Sequence, residues 1–259
     1  MLHLKVIDAH THLPIGKGGL KRLIKACEEA NIVKCFLCGL PEGKFGAGNE
    51  AVEKAMKEYP DLIMGFAYID LGRDNPHIID EYYSRGFFGF KFIEPPKPYD
   101  SDEYFPYYER MEAYSMPALF HTGIVARGVK TDERGITSKN MKPICLERIA
   151  RTFRNLILIG AHLGHPWCHE AAVTMLHNPN IYFDISGGHT FQIALTIHSR
   201  LHYDVDAGRL LFGSDSTPEN IIKYLHYWQI ILPQLGLTRN EVESILYRNA
   251  LNLINKARK

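Results

Sequence analysis

Leu4-Lys5-Val6-Ile7-Asp8-Ala9-His10-Thr11-His12 is the stretch whose reading decides the fold. Its apolar start predicts a strand, and its end sets two histidines one residue apart. Side chains alternate along a strand, so His10 and His12 project to the same face. By the same alternation Asp8 shares that face one step deeper. Two imidazoles side by side at a strand end form a pincer for a divalent cation such as Zn²⁺. Alone, the pair reads equally well as two surface histidines beside a turn. An open doubly wound sheet would want a phosphate-binding glycine turn after its first strand. His10-Thr11-His12 occupies that place instead, which turns the reading toward a closed barrel.

The rest of the chain alternates strand and helix. A helical pattern over Leu20–Ala30 carries Leu20, Leu23, Ile24 and Cys27 at helical spacing. Strands follow at Val33–Cys38, Leu62–Ala67, Phe87–Phe92, Ala118–His121, Leu156–Ala161, Ile181–Ile185 and Leu210–Phe212. Between and after them lie helices at Glu50–Glu58, Pro76–Ser84, Phe105–Tyr114, Ile144–Phe153, Pro166–His177, Phe191–Arg200 and Pro218–Leu232. A last helix spans Arg239–Lys256, with Thr238 and Glu241 spaced as a capping box. Short apolar strands alternating with helices predict an α/β protein, a (β/α)8 TIM barrel formed as a single domain over residues 1–259.

The 259 residues, 46% of them hydrophobic, are enough for one sizeable core. A net charge of +1 with no basic cluster speaks against nucleic acid as a partner. No apolar run approaches the ~20 residues of a membrane span. Met1 to Lys5 leads straight into the first strand, so no signal peptide is expected and the expected location is cytoplasmic. Cys35 and Cys38 form a Cys-x-x-Cys, but three residues apart on a strand they face opposite sides and read as buried, unpaired thiols. Among the late aromatics, Tyr224, Tyr227 and Trp228 fit packing against the barrel, with a homodimer surface as the alternative. His169, His177, His198, His202 and His226 fall in helical stretches and read as outer residues.

In a parallel barrel all strands end at one mouth, where active sites are built. Strand one brings His10 and His12 there. Strand four brings Lys91, strand five His121, strand six His162 and then His165, strand seven Asp184, and strand eight Asp215. Three histidines and a carboxylate converging on one mouth suit Zn²⁺. Asp215 taken singly also reads as a turn residue before the helix at Pro218, and His121 as a hydrogen-bonded core histidine.

Asp8-Ala9-His10-Thr11-His12, Phe120-His121-Thr122-Gly123, Gly160-Ala161-His162-Leu163-Gly164, Tyr182-Phe183-Asp184-Ile185-Ser186 and Gly213-Ser214-Asp215 together resemble the amidohydrolase superfamily. The likeness is to its amidohydrolase-related branch, which includes aminocarboxymuconate semialdehyde decarboxylase. It runs from the first strand to the eighth, in the family's order. The resemblance implies a metal-dependent enzyme with His10, His12, His121 and Asp215 as metal ligands. It implies His162 and Asp215 as catalytic acid and base, and Zn²⁺ as the cofactor, with Mn²⁺ or another divalent ion as the alternative. Lys91 sits near where two-metal members carry a carboxylated bridging lysine, and otherwise reads as substrate-binding or salt-bridged. Asp8, Asp184 and His165 read as residues that orient the ligands.

The expected reaction is hydrolysis of a small carboxylate-bearing amide, lactone or related carbonyl compound. The same residues also suit a decarboxylase of an aromatic or enoic acid, because the fold and ligand set do not choose the reaction. The remaining alternative is a barrel that binds a ligand without catalysis. Thr122 to Lys142 forms a long polar connection after strand five, and its Arg127 and Arg134 are expected to meet the substrate's carboxylate.

Overall fold

The computed structural model describes residues 4–41, 46–125 and 136–257. Strand β1 (Val6–His12) is followed by α1 (Gly19–Glu29), β2 (Ile32–Cys38), α2 (Asn49–Glu58), β3 (Ile63–Tyr68) and α3 (Ile78–Ser84). The alternation continues through β4 (Gly89–Phe92), α4 (Phe105–Ala113), β5 (Ala118–Phe120), α5 (Cys145–Thr152), β6 (Leu158–Gly160) and α6 (Cys168–His177). It closes with β7 (Ile181–Asp184), α7 (Thr190–Arg200), β8 (Leu210–Leu211) and α8 (Pro218–Gln234). The strands form one 8-stranded sheet in sequence order, each parallel to the next. The seam is sealed by Ala9 N–H donating to Phe212 O and Asp215 N–H donating to His10 O, both at 2.8 Å. The chain is the (β/α)8 barrel that its alternation predicts.

Two apolar layers follow from strand alternation. Alternate strand residues such as Cys35, Leu37, Phe90 and Phe92 face outward onto the helices, whose buried stripes include Leu23, Ile24 and Cys27 of α1. The intervening residues fill the lumen, among them Ile7, Phe36, Met64, Phe66, Leu119, Ile159 and Leu211. Cys35 therefore faces the helices and Cys38 the lumen, and all five cysteines are buried and free. Trp228 is fully buried in the outer layer, as core packing requires.

The expected single helix over Arg239–Lys256 is broken into three parts. α9 (Arg239–Glu243) starts at the Thr238–Glu241 capping box, a π turn spans Ser244–Arg248, and α10 (Asn249–Ala257) follows. The Ile245 carbonyl, in the wide turn, accepts the Phe212 N–H at 2.9 Å. The side chain of Asn249 donates to Ala207 O and Leu210 O, each at 2.8 Å. These bonds pin α10 across the barrel floor, where Ala250, Leu253 and Ile254 join the lumen cluster. Among the described residues, no helix is long and apolar enough to cross a membrane.

One irregularity positions the mouth. Asp8 stands opposite Cys35 and Thr11 opposite Leu37, so three steps of β1 match two of β2. This is a bulge, and it shifts the phase of alternation. Ile7 and Ala9 face the lumen before it, while His10 and His12 line the lumen's mouth after it. Asp8 therefore does not share the histidines' face, as uninterrupted alternation predicted. Its register partner faces the helices, and its Oδ1 accepts backbone N–H groups from His10 (3.1 Å) and Ser214 (2.9 Å). Asp8 is a clamp between β1 and the end of β8.

Candidate metal centre

The strand ends enclose a cavity of about 660 Å³. His10, His12, Lys91, His121, His162 and Asp215 form its polar base, and Ile15, Leu40, Ile93, Ile124 and Val125 form apolar walls. His162 and Asp215 reach it through left-handed backbone, with φ of 59° and 38°. Such conformations are costly for side-chain-bearing residues and concentrate where a site dictates them. The glycine at 187 lets the chain pass close to His162, since a Cβ there would lie 3.0 Å from its Nδ1.

Asp215 is the hub. Its Oδ1 lies 3.3 Å from His12 Nε2 and 3.9 Å from His10 Nε2, and its Oδ2 lies 3.5 Å from His162 Nε2. Ligand atoms of His10, His162 and Asp215 all fall within 4.8 Å of one another. This group contains His162, which the sequence pattern set beside a cation rather than on it. His121 packs its ring 4.9 Å from that of His162.

The other ring nitrogens are already engaged. His12 Nδ1 donates to Cys38 O at 2.9 Å. His10 Nδ1 donates to Asp184 Oδ2 at 2.9 Å. Ser186 gives its hydroxyl proton to Asp184 Oδ1, so its oxygen accepts from His162 Nδ1 at 2.9 Å. Asp184 also takes the backbone N–H groups of His162 (2.9 Å) and Ser186 (3.0 Å). Each of these three imidazoles, when neutral, therefore turns a lone pair on Nε2 toward the Asp215 carboxylate.

Lone pairs and a carboxylate facing one another repel unless a cation or proton lies among them; the Lys91 ammonium meets the lone pair of His10 at 3.0 Å, while those of His12 and His162 face Asp215. His121 Nε2 adds a fourth donor, buried and without a hydrogen-bond partner among the described residues. Imidazole nitrogens fixed from behind, together with a carboxylate oxygen, are the donor chemistry of a divalent transition metal. The residues fit such an ion.

Charge in the site follows burial. Burial first, and then the Lys91 charge, depress His10 to about 4. Burial also holds His121 well below the ordinary histidine value, with His162 and Lys91 adding to the effect. Lys91 is 1% exposed; burial lowers it, and its Nζ donates to His10 Nε2 at 3.0 Å. Burial raises Asp8 to about 7. Burial would also raise Asp184 and Asp215, but the neighbouring histidines outweigh it and hold both below the usual carboxylate range.

His165 has a different setting from the orienting one expected of it. It lies in the cavity wall with its ring stacked on His189, centroids 3.9 Å apart and planes 18° from parallel. His189 and Ser186 were missed as individual site residues. The available signal was their position at the end of β7, on either side of the Gly187-Gly188 turn. Arg127 and Arg134 lie outside the described residues. Of the outer histidines, His169 is 60% exposed and faces Asp204 at 3.5 Å, away from the cavity lining.

No curated protein matches the chain. Among solved structures, it is similar to an uncharacterized TIM-barrel protein of Bordetella bronchiseptica at 19% identity, covering 99% of this chain and 100% of that one, with a TM-score of 0.77. A 2,6-dihydroxybenzoate decarboxylase from Rhizobium matches at 16% identity over 97% and 99%, with a TM-score of 0.68. A probable 2-pyrone-4,6-dicarboxylic acid hydrolase from Acinetobacter baumannii, with citric acid bound, matches at 16% identity over 97% and 100%, with a TM-score of 0.66. At such identities the likeness shows the fold. Membership comes from the amidohydrolase family profile, which matches residues 40–255, from just after β2 to within α10. The chain belongs to the amidohydrolase family, in the amidohydrolase-related branch that its strand-end residues resemble.

Proposed function

We propose that the protein is a metal-dependent hydrolase of a small carbonyl compound, an amide or lactone, that also carries a carboxylate. The observation behind this reading is the Asp215 carboxylate ringed by the Nε2 atoms of His12, His162 and His10 at 3.3, 3.5 and 3.9 Å. His10, His12, His121 and Asp215 would hold the ion, with Zn²⁺ preferred and Mn²⁺ the alternative. When bound, the ion supplies Lewis acidity toward the carbonyl and toward water.

The protein's own groups do the rest. Asp215 has two oxygens, so one is free to accept a proton from the attacking water and return it to the leaving group. His162, fixed through Nδ1 by Ser186, presents Nε2 to the same region; with a proton taken up on Nε2 it donates to the oxygen on which charge develops. Asp184 fixes His10 and the backbone of His162 together, so the two rings keep their orientation. Lys91 supplies a buried positive charge beside His10, suited to an anionic substrate. The walls formed by Ile93, Ile124 and Val125 keep water from the substrate's body.

The test has two parts. Protein purified without chelators is assayed for metal, and turnover is measured across lactones, amides and unsaturated carboxylic acids. About one equivalent of zinc or manganese with net addition of water supports the reading. CO₂ release without water addition replaces hydrolysis by decarboxylation, the activity named for the Rhizobium protein. Absence of bound metal, with no activity restored by zinc or manganese, overturns the metal assignment. His121→Asn should lose the ion, whereas His162→Asn should keep it and lose turnover.

A further inference from the structure

The stacked pair His165–His189 lies in the cavity wall but takes no part in the proposed ion-holding set. His165 is held through its backbone and one face of its ring. Its carbonyl accepts the Ile124 N–H at 3.0 Å, and Gly123 lies so close that a side chain there would strike that carbonyl. Its own N–H donates to His162 O at 3.0 Å, and one ring face lies on His189. Rigid placement of this kind is expected of a recognition group rather than of a residue that fills space.

The ring's hydrogen bonding is unfinished. His165 Nδ1 is buried with no partner among the described residues. A neutral imidazole carries one N–H and one lone pair. Orphaned buried N–H groups are rarer than orphaned acceptors, so the lone pair belongs at Nδ1 and the proton at Nε2. Burial, then the neighbouring His189 and His162, lower the pKa of His165 and favour this neutral form. The ring is half-buried, so Nε2–H is left to face the cavity, and among the described residues no side chain accepts from it. The nearby walls of Ile124 and Val125 cannot accept a hydrogen bond. Among the described lining residues Asp215 is the single carboxylate and the buried Lys91 ammonium offsets it, so an anion meets no net negative charge there.

We propose that His165, braced by His189, is a specificity-determining residue that donates Nε2–H to a carboxylate of the substrate remote from the reacting group. This inference rests on the reading of the mouth as a substrate cavity. It assigns the substrate to compounds with two anionic or carbonyl ends, one at Asp215 and His162 and the other at His165.

Isothermal titration of the zinc-loaded protein tests it, with the dicarboxylates malonate, succinate, glutarate and adipate against the monocarboxylates acetate and butyrate. At least one dicarboxylate is expected to bind more tightly than the monocarboxylates. His165→Phe keeps the aromatic stack and removes the donor, and should cut that preference about tenfold. His165→Gln places an amide N–H near the position of Nε2 and should restore most of it. His189→Leu removes the brace and should cut the preference less than His165→Phe does. Near-ultraviolet circular dichroism on each variant verifies that the barrel is folded, and the Gln and Leu variants carry the test if Phe does not fit.

An equal preference in wild type and His165→Phe overturns the proposal, as does a wild type that binds dicarboxylates no better than monocarboxylates. Neither result touches the metal content or the turnover of the substrate panel. Failure here is therefore distinguishable from failure of the hydrolase reading.

Discussion

The two ends of the barrel are built by opposite rules. At the floor, α10 brings Ala250, Leu253 and Ile254 into one apolar cluster with Ile7, Phe36 and Met64, and Asn249 satisfies the carbonyls of Ala207 and Leu210. At the mouth, His121 Nε2 and His165 Nδ1 are buried without partners among the described residues, and His162, Leu163 and Asp215 have positive φ. Strain and missing partners are tolerated only where the surrounding structure enforces them, and they gather where a ligand completes the set. The floor supplies stability that lets the mouth remain incomplete. In barrels generally, the N-terminal face serves stability and the C-terminal face chemistry.

Substitutions at each end should therefore fail in different ways. The largest effect is expected from Asp215→Asn at the mouth. Its kcat/KM should fall about 10³-fold or more, while unfolding of the metal-free protein shifts by less than about 1 kcal/mol. Steady-state kinetics and urea denaturation read the two quantities separately. A stability loss that matched the loss of activity would erase the contrast between the ends.

Leu253→Ala at the floor should do the reverse. It removes a fully buried side chain from the lumen cluster and should cost about 2–5 kcal/mol in urea unfolding. Metal stoichiometry at 25 °C should stay at the wild-type level. A drop in metal content in the folded variant would mean that the floor tunes the mouth directly.

Asp184→Asn sharpens the picture of how the mouth is held. Losing the acceptor for His10 Nδ1 should weaken zinc affinity about 10–100-fold, read by competition with a chromophoric chelator. No change would remove Asp184 from the ligand-fixing network.

The smallest effect belongs to an ion pair on the floor side. Glu53 of α2 meets Arg85 and Lys57 beside the starts of β3 and β4. Hydrogen bonds from Arg85 and then Lys57 lower its carboxyl from 4.5 to about 2. A carboxyl depressed in the folded state stabilises above its unfolded value. That stabilisation fades as the pH falls from 4.5 through about 2. Glu53→Gln should therefore cost about 1 kcal/mol at pH 7. The gap to wild type should narrow below pH 4.5 and be nearly closed at pH 2. A gap that stayed constant across this range would rule out the charge as its cause.

Much of this molecule is legible in its sequence because alternation and chain order are local properties. Apolar runs such as Val33–Cys38 and the spacing of Leu20, Leu23, Ile24 and Cys27 specify strand and helix without reference to the rest of the chain. A parallel barrel sends every strand end to one mouth, so His10, His12, Lys91, His121, His162 and Asp215 could be placed together before any contact was known.

What escaped the sequence depends on contacts between distant segments. The β1 bulge exists because β1 must match the register of β2 while bonding across the seam to β8, and no local pattern in Asp8–His12 announces it. The π turn at Ser244–Arg248 has its use in a bond to Phe212. Which ring nitrogen of His12 faces inward is decided by a carbonyl at Cys38, and which of His162 by a hydroxyl at Ser186. Likewise, His165 met His189 only when β6 and β7 came side by side. The sequence by itself determined the barrel and which chemically active residues stand at its mouth. Tertiary structure alone decided which nitrogen of each ring points inward, because a hydrogen bond from a remote segment sets the tautomer and orientation of an imidazole.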